Sequence, residues 1–375
     1  VSEKDGKNGV FDFHLCADIG VHRYMSETLP KLPLQDDVEW PTMQWDRGDL
    51  LPGTNRRALE VLLTHAFQET APDEMGETHA FLAIQKGGIV ADRYWQGFDR
   101  MQTYPSWSMA KSITHALAGI MVGDGLVDPM EPVLAPEWGA DDDKNDRRRL
   151  ITLDQLLRMS SGLHFVEEYY DGEVSSVIEM LYGEGKGDVA AYAAAQPMAY
   201  APDSRFYYSS GTTNIISRFL SQRLGKSGDE FADFMKSALF DRIGISTATP
   251  KFDGQGTFIG SSFCFCTAED FARFGLLYLR DGIWDGERIL PEGWVDYART
   301  ATPTPPDEPL GYGAHWWLGL CGPGSFSANG FHGQYIALLP DKDLILVRHG
   351  KSPQEQGDQV RVWLRKVSEC FPTVQ

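Results

Sequence analysis

Two residues three positions apart offer the first chemistry in this sequence: Ser108 and Lys111, within Tyr104-Pro105-Ser106-Trp107-Ser108-Met109-Ala110-Lys111-Ser112-Ile113-Thr114. On a helix, positions i and i+3 share a face, so the Lys111 amine can reach the Ser108 hydroxyl. In the first turn, Ser108 would also stand near unpaired backbone N–H groups and the positive end of the helix dipole. A serine so placed can carry an acyl group through an anionic intermediate. The chemistry implied is hydrolysis with Ser108 as nucleophile. The spacing alone is common, since a chain of this length holds on the order of one S-x-x-K by chance. The plain alternative is an exposed helix start bearing a solvated lysine.

The elements around the pair bear on that choice. Ile113, Leu117, Ile120 and Met121 make the following helix apolar enough to be buried, and Gly123 and Gly125 stop it. A buried lysine is costly unless paired or neutralised, and its pKa falls readily. His115, one turn on, reads as a hydrogen-bonded core histidine rather than a second base. Residues 56–68 carry helical spacing at Leu59, Leu62, Leu63 and Phe67, and 79–85 with 89–95 read as a β-hairpin joined at Lys86-Gly87-Gly88. Thr152-Leu153-Asp154-Gln155 is a capping box for a helix over Leu156, Leu157 and Met159. The stretch holding Phe165, Glu167, Glu168, Tyr169, Tyr170 and Asp171 reads either as a surface loop or as the wall of a pocket.

Tyr208 and Ser210 open a further helix with Ile215, Ile216, Phe219 and Leu220. Another helix is expected over 231–240, and Thr267 caps one bearing Phe271, Phe274, Leu277 and Tyr278. Residues 316–320, 331–339 and 344–349 are β-rich, and a last helix carries Val360, Leu364, Val367 and Phe371. Strands at both ends with helices between imply one antiparallel sheet built from the two ends of the chain, with a helical insertion. The expected division is an N-terminal arm over 1–55, a sheet lobe from 56–115 and 276–375, and a mainly helical lobe over 116–275, with the site between the lobes.

The 375 residues are 42% hydrophobic and 23% charged, enough for a substantial core. A net charge of -19 would repel a polyanion, so nucleic acid is not an expected partner. Cys16, Cys264, Cys266, Cys321 and Cys370 are an odd, scattered set and no disulfide framework. Cys264 and Cys266, beside Phe263 and Phe265, read as core strand rather than as metal ligands. The longest apolar run, near 116–122, is too short to span a membrane. No metal or organic cofactor is expected. The chain starts at Val1 without a basic-then-apolar leader pattern. A cytoplasmic location is the expectation, with a processed periplasmic or secreted form as the alternative, and a homodimer is compatible with the sequence.

Ser108-x-x-Lys111, then Tyr208-x-Ser210, then Ala328-Asn329-Gly330-Phe331-His332-Gly333-Gln334 form an ordered set over about residues 78–350. The set resembles the penicillin-recognising serine hydrolases, in the class C β-lactamase-like branch of esterases, D-amino-acid-releasing peptidases and amidases. Within that branch it is most similar to the nylon-oligomer (6-aminohexanoate-dimer) hydrolases. The resemblance implies a β-lactamase/transpeptidase-like α+β (mixed α/β) fold, an antiparallel sheet flanked by helices with an all-helical lobe inserted. It implies Ser108 as the acylated nucleophile, Lys111 and Tyr208 sharing the proton, and the Ser108 and Phe331 N–H groups as the oxyanion hole. Tyr169, Ser210, Ser261, Asn329, Gly330 and His332 are the implied substrate contacts, Ser261 standing where these enzymes have an asparagine. The substrate would be a small ester or amide.

An unperturbed lysine or tyrosine base at pH 7 would cost about 4 to 5 kcal/mol. "Neutral lysine with phenol" and "ammonium with phenolate" are two placements of one proton, and both stay open here. Ala328-Asn329-Gly330 replaces the usual K-T-G, and Ser210 replaces an asparagine. Both changes argue against efficient β-lactam hydrolysis. β-Lactamase or D,D-peptidase activity, and a ligand-binding or sensor protein without turnover, are the alternatives carried forward.

Overall fold

A tight turn at Lys86-Gly87 starts the sheet. Both residues have left-handed backbone (φ 51° and 78°), which a two-residue hairpin turn requires and which Gly87 adopts without strain. The turn joins β1 (Glu77–Gln85) to β2 (Gly88–Tyr94). The computed structural model describes residues 29–33, 40–69, 71–139, 145–169, 175–307 and 309–374. Most of the arm, Cys16, Tyr170 and Asp171 therefore lie outside the described residues.

Before the hairpin come α1 (Arg56–Ala66), capped by Asn55, and the one-turn α2 (Pro72–Met75). After it come β3 (Thr103–Pro105), α3 (Ala110–Gly123), α4 (Leu153–Leu157), α5 (Ser176–Tyr182), α6 (Val189–Ala194), α7 (Ser210–Leu224) and α8 (Asp229–Met235). The chain continues through β4 (Thr249–Pro250), β5 (Cys264–Thr267), α9 (Ala268–Leu279), β6 (Ile283–Trp284), β7 (Glu287–Arg288) and α10 (Trp294–Arg299). It closes with β8 (Gly311–Tyr312), β9 (Trp317–Leu318), β10 (Phe326–Gly330), β11 (Gln334–Leu339), β12 (Leu344–Lys351) and α11 (Gly357–Glu369). The capping box at Thr152 and Gln155 forms as the sequence predicts, and Thr267 caps α9.

The main sheet is antiparallel, in the order β2-β1-β12-β11-β10-β9-β8, so early and late strands of the chain meet at the β1–β12 pairing. Ile84 pairs with Ile345, and Ile345 with Leu338. Alternation gives the sheet two buried faces. Ala80, Leu82 and Ile84 face the large core with α3, α7 and α9, while Phe81 and Ala83 face a second core with α1 and α11. Each buried Leu or Ile contributes about 1.5–3 kcal/mol, so both layers are held by burial rather than by strand propensity. α9 lies flat on the sheet, and a Cβ on Gly275 would come within 2.8 Å of Ile336. The boundary expected at 275/276 thus falls inside a helix, α9, that packs on β1, β11 and β12.

Two local expectations are corrected. The strand expected over 331–339 begins only at Gln334. Phe331–Gly333 is the three-residue loop of the β10–β11 hairpin, with His332 and Gly333 left-handed at φ 60° and 77° and Gly330 opposite Gln334. The helix expected over 231–240 is α8 followed by a wider π turn at Lys236–Phe240.

Candidate active site

Ser108 sits in a 3-10 turn, Trp107–Met109, that runs directly into α3. Ser106 anchors this turn to β5. Its N–H donates to Cys264 O (3.0 Å), its Oγ accepts from Cys264 N (2.9 Å), and the same Oγ donates to Ser262 O (3.1 Å). Trp107 is left-handed at φ 45°, an unfavourable conformation for a side chain of this size. Its ring packs on Phe263 and edge-on to Phe331, so tertiary contacts hold the strained turn in place. Gly330 allows β10 to approach: a Cβ there would lie 2.4 Å from Ser106 O.

Lys111 lies on the first turn of α3 and is 1% exposed. Its Nζ is 3.1 Å from Ser108 Oγ, 3.0 Å from Ser210 Oγ and 3.0 Å from Ser261 O. Burial pushes its pKa down to about 8, against the opposing pull of the Glu167 charge. The Tyr208 ring centroid is 4.8 Å from Nζ, and that ring leans on Trp317 and Tyr312. Ser209 caps α7 through the Thr212 N–H, which fixes Tyr208 and Ser210 on either side of the cap.

The 165–171 stretch supplies the other wall. Glu167 accepts from Ser210 N (2.7 Å), Ser210 Oγ (2.5 Å) and Tyr169 OH (2.9 Å). The Tyr169 ring stacks on Phe331 at 4.7 Å, and burial next to Glu167 holds its phenol well above the ordinary range.

Ser108, Glu167, Tyr169, Tyr208, Asn329, Gly330 and Phe331 line one cavity of about 240 Å³. Leu310, Trp317, Tyr335, Gln354 and Arg361 complete its wall. Asn329 Oδ1 is buried with no hydrogen-bond partner among the described residues. Arg361 pairs with Asp358 one turn earlier on α11.

Three expected substrate contacts do not line the cavity. The Ser261 side chain is wholly buried, bonded to Ser262 Oγ at 2.8 Å; only its backbone carbonyl reaches the site. His332 is not among the residues lining the cavity: its ring stacks on Phe331 at 4.0 Å and backs that wall. Ser210 is likewise buried and meets Lys111 rather than the cavity. His115 is a core residue, its Nδ1 2.7 Å from Tyr278 OH and its ring stacked on Trp294. Sequence reasoning did not single out Leu310, Gln354 or Arg361. Arg361 carried one usable signal, a cation on the α11 turn between Val360 and Leu364. Cys264 and Cys266 are strand residues buried in the core, as expected. Among the described residues no cluster of His, Cys, Asp or Glu is suited to a metal ion, and no helix is long and apolar enough to cross a membrane.

A strained turn thus presents Ser108 to the buried Lys111 beside β10 of the antiparallel sheet. Residues 68–367 match the beta-lactamase family, and the chain belongs to that family. Over 364 residues it is 26% identical to the 6-aminohexanoate-dimer hydrolase of Paenarthrobacter ureafaciens, spanning 88% of this chain and 91% of that protein. Among solved structures it resembles a penicillin-binding protein homologue from Caulobacter crescentus (TM-score 0.63, 15% identity, 86% of this chain and 98% of that one). It also resembles the octameric penicillin-binding protein homologue from Pyrococcus abyssi (TM-score 0.61, 17% identity, 83% and 76%). The fold expected from the motifs is the fold observed.

Proposed function

We propose that this protein is a serine hydrolase that cleaves small linear amides, and more weakly esters, through an acyl-Ser108 intermediate. The observation that carries the reading is the buried Lys111 amine 3.1 Å from Ser108 Oγ. With a pKa of about 8, neutral lysine at pH 7 costs about 1.4 kcal/mol instead of 4 to 5.

In the first step Ser108 Oγ bonds the substrate carbonyl carbon and its proton passes to Lys111. The charge that develops on the carbonyl oxygen is held by the Ser108 and Phe331 N–H groups, each donor worth about 3 to 4 kcal/mol. The bond to the leaving nitrogen or oxygen then breaks. Tyr208 gives that atom a proton and regains one from Lys111, leaving Ser108 acylated. Water adds to the acyl ester with the same groups acting in reverse, and the acid product departs with Ser108 restored.

Asn329 supports an amide. Its Oδ1 is buried with no partner among the described residues, on a residue that lines the cavity beside Ser108. An amide N–H would satisfy it, whereas an ester leaves it orphaned at a cost of about 1–3 kcal/mol. Arg361 suits a carboxylate remote from the scissile bond, and β10 offers no lysine for one, with Ala328 at that position. A linear amide bearing a carboxylate, as in the dimer for which the Paenarthrobacter relative is named, meets both conditions.

Intact-mass measurement after exposure to a serine-directed phosphonate tests the nucleophile, with Ser108→Ala as control. Labelling mapped to Ser108 and turnover of p-nitrophenyl acetate, both lost in the control, are expected. Among natural-type substrates, aminohexanoate oligomers should be cleaved faster than β-lactams. Absence of label and turnover in folded protein would overturn the assignment.

A further inference from the structure

The acylation scheme leaves one group in the cleft without a task, the Glu167 carboxylate. Ser210 Oγ has a single hydrogen, and the 2.5 Å contact gives it to Glu167 Oε1. Ser210 Oγ can then only accept from Lys111 Nζ, 3.0 Å away. Ser261 O, a carbonyl, can likewise only accept, also at 3.0 Å. A neutral lysine amine has two hydrogens and one lone pair. Both hydrogens are claimed, so the lone pair is left to Ser108 Oγ at 3.1 Å.

From this count we infer that Glu167 is a positioning residue that, acting through Ser210, aims the Lys111 lone pair at Ser108. The inference rests on the acyl-serine reading above. Glu167 touches neither Ser108 nor the reacting atoms in this scheme. It fixes the polarity of a chain of hydrogen bonds that could equally run the other way.

Glu167→Gln reverses that chain with little change in shape. The Ser210 N–H, now 2.7 Å from Oε2, would keep the amide oxygen on its side. The amide NH2 then takes the Oε1 place and donates to Ser210 Oγ. Ser210 turns its own hydrogen onto Lys111 and occupies the lone pair. The base is lost while every heavy atom stays in place.

The test is kcat/KM for p-nitrophenyl acetate as a function of pH, for wild type, Glu167→Gln, Ser210→Ala and the double variant. Glu167→Gln should fall about 100-fold, within the range for a positioned general base. Adding Ser210→Ala should recover about tenfold of that loss, because the hydroxyl that captured the lone pair is gone. A purely structural Glu167 would give losses that add instead.

The groups around Lys111 are Glu167 with Tyr169 bonded to it, Tyr208, and His315, whose ring meets Thr213 on α7. Burial and the Lys111 charge keep His315 down near 3, and Tyr169 stays protonated, so neither titrates with the base. The Glu167 charge favours the ammonium form, so the acidic limb of Glu167→Gln should move to lower pH. Ser210→Ala alone, which keeps the carboxylate, should slow turnover with its limb near the wild-type position; this holds as a test even where Glu167→Gln does not fold. A Glu167→Gln enzyme with wild-type rate and limb, or a double variant no faster than Glu167→Gln, would overturn the inference. Wild-type protein that neither takes the phosphonate nor turns over would instead remove the acyl-serine reading on which it stands.

Discussion

At Lys111, stability and the proposed chemistry pull in opposite directions. Its folded pKa of about 8 lies below the ordinary 10.5, so between these values the unfolded chain holds a proton that the folded chain lacks. Stability therefore rises with pH from about 8 to 10.5, and the full penalty of a buried ammonium applies below 8. Lys111→Met should remove that slope, raising the Tm at pH 6 more than at pH 9 in paired thermal melts. It should also lower kcat/KM at least 100-fold, the share of a general base. In wild type, kcat/KM should climb about tenfold per pH unit until near pH 8 and then level. Ser108 and Lys111 could be read from the sequence because their relation is local, one helical turn. The partnership of Glu167 with Ser210 could not, because it spans 43 residues and joins a stretch with no periodicity to a helix start. Ser261 shows the opposite failure. Its position matters through a backbone carbonyl, which residue identity does not reveal.

Among the elements, α3 follows the Ser108 turn directly and is buried from Ala110 to Met121. Gly119 lets it meet α10: a Cβ there would fall 2.2 Å from Trp294 Nε1. Gly119→Ala should cost about 1–3 kcal/mol in urea unfolding, as overpacking does, with activity per folded molecule retained. Gly330 on β10 makes the complementary case. A methyl there meets Ser106 O, a backbone atom that cannot swing aside. Gly330→Ala should move the strand from Ser108 and lower kcat up to about 100-fold, the penalty of a misplacement near 1 Å, with a smaller change in KM. The helices were legible because caps and periodicity are written locally, as at Thr152 and Thr267. The 331–339 segment misled because Phe331 and His332 look like strand. Only the left-handed pair His332-Gly333, which lets the Arg348 guanidinium sit against the loop, breaks the run.

For the whole molecule, the net charge of -19 sets an approach field for any charged substrate. Raising ionic strength from 10 to 150 mM, where the Debye length shrinks from about 30 to 8 Å, should increase kcat/KM several-fold for a dianionic ester. A neutral p-nitrophenyl ester should show no such change, and stopped-flow comparison of the two checks this. The sheet's assembly from segments far apart in the chain was legible in the order of strand and helix patterns, since among the described residues the named strands lie before residue 106 and after 248. That same closure has a consequence during synthesis. Ile84 leaves the ribosome about 260 residues before its partner Ile345. At 5–20 residues per second the β1–β2 hairpin waits roughly 15 to 50 seconds with both apolar faces uncovered. For that interval the hairpin's exposed faces suit a holding chaperone, and the arrival of β12 ends the wait.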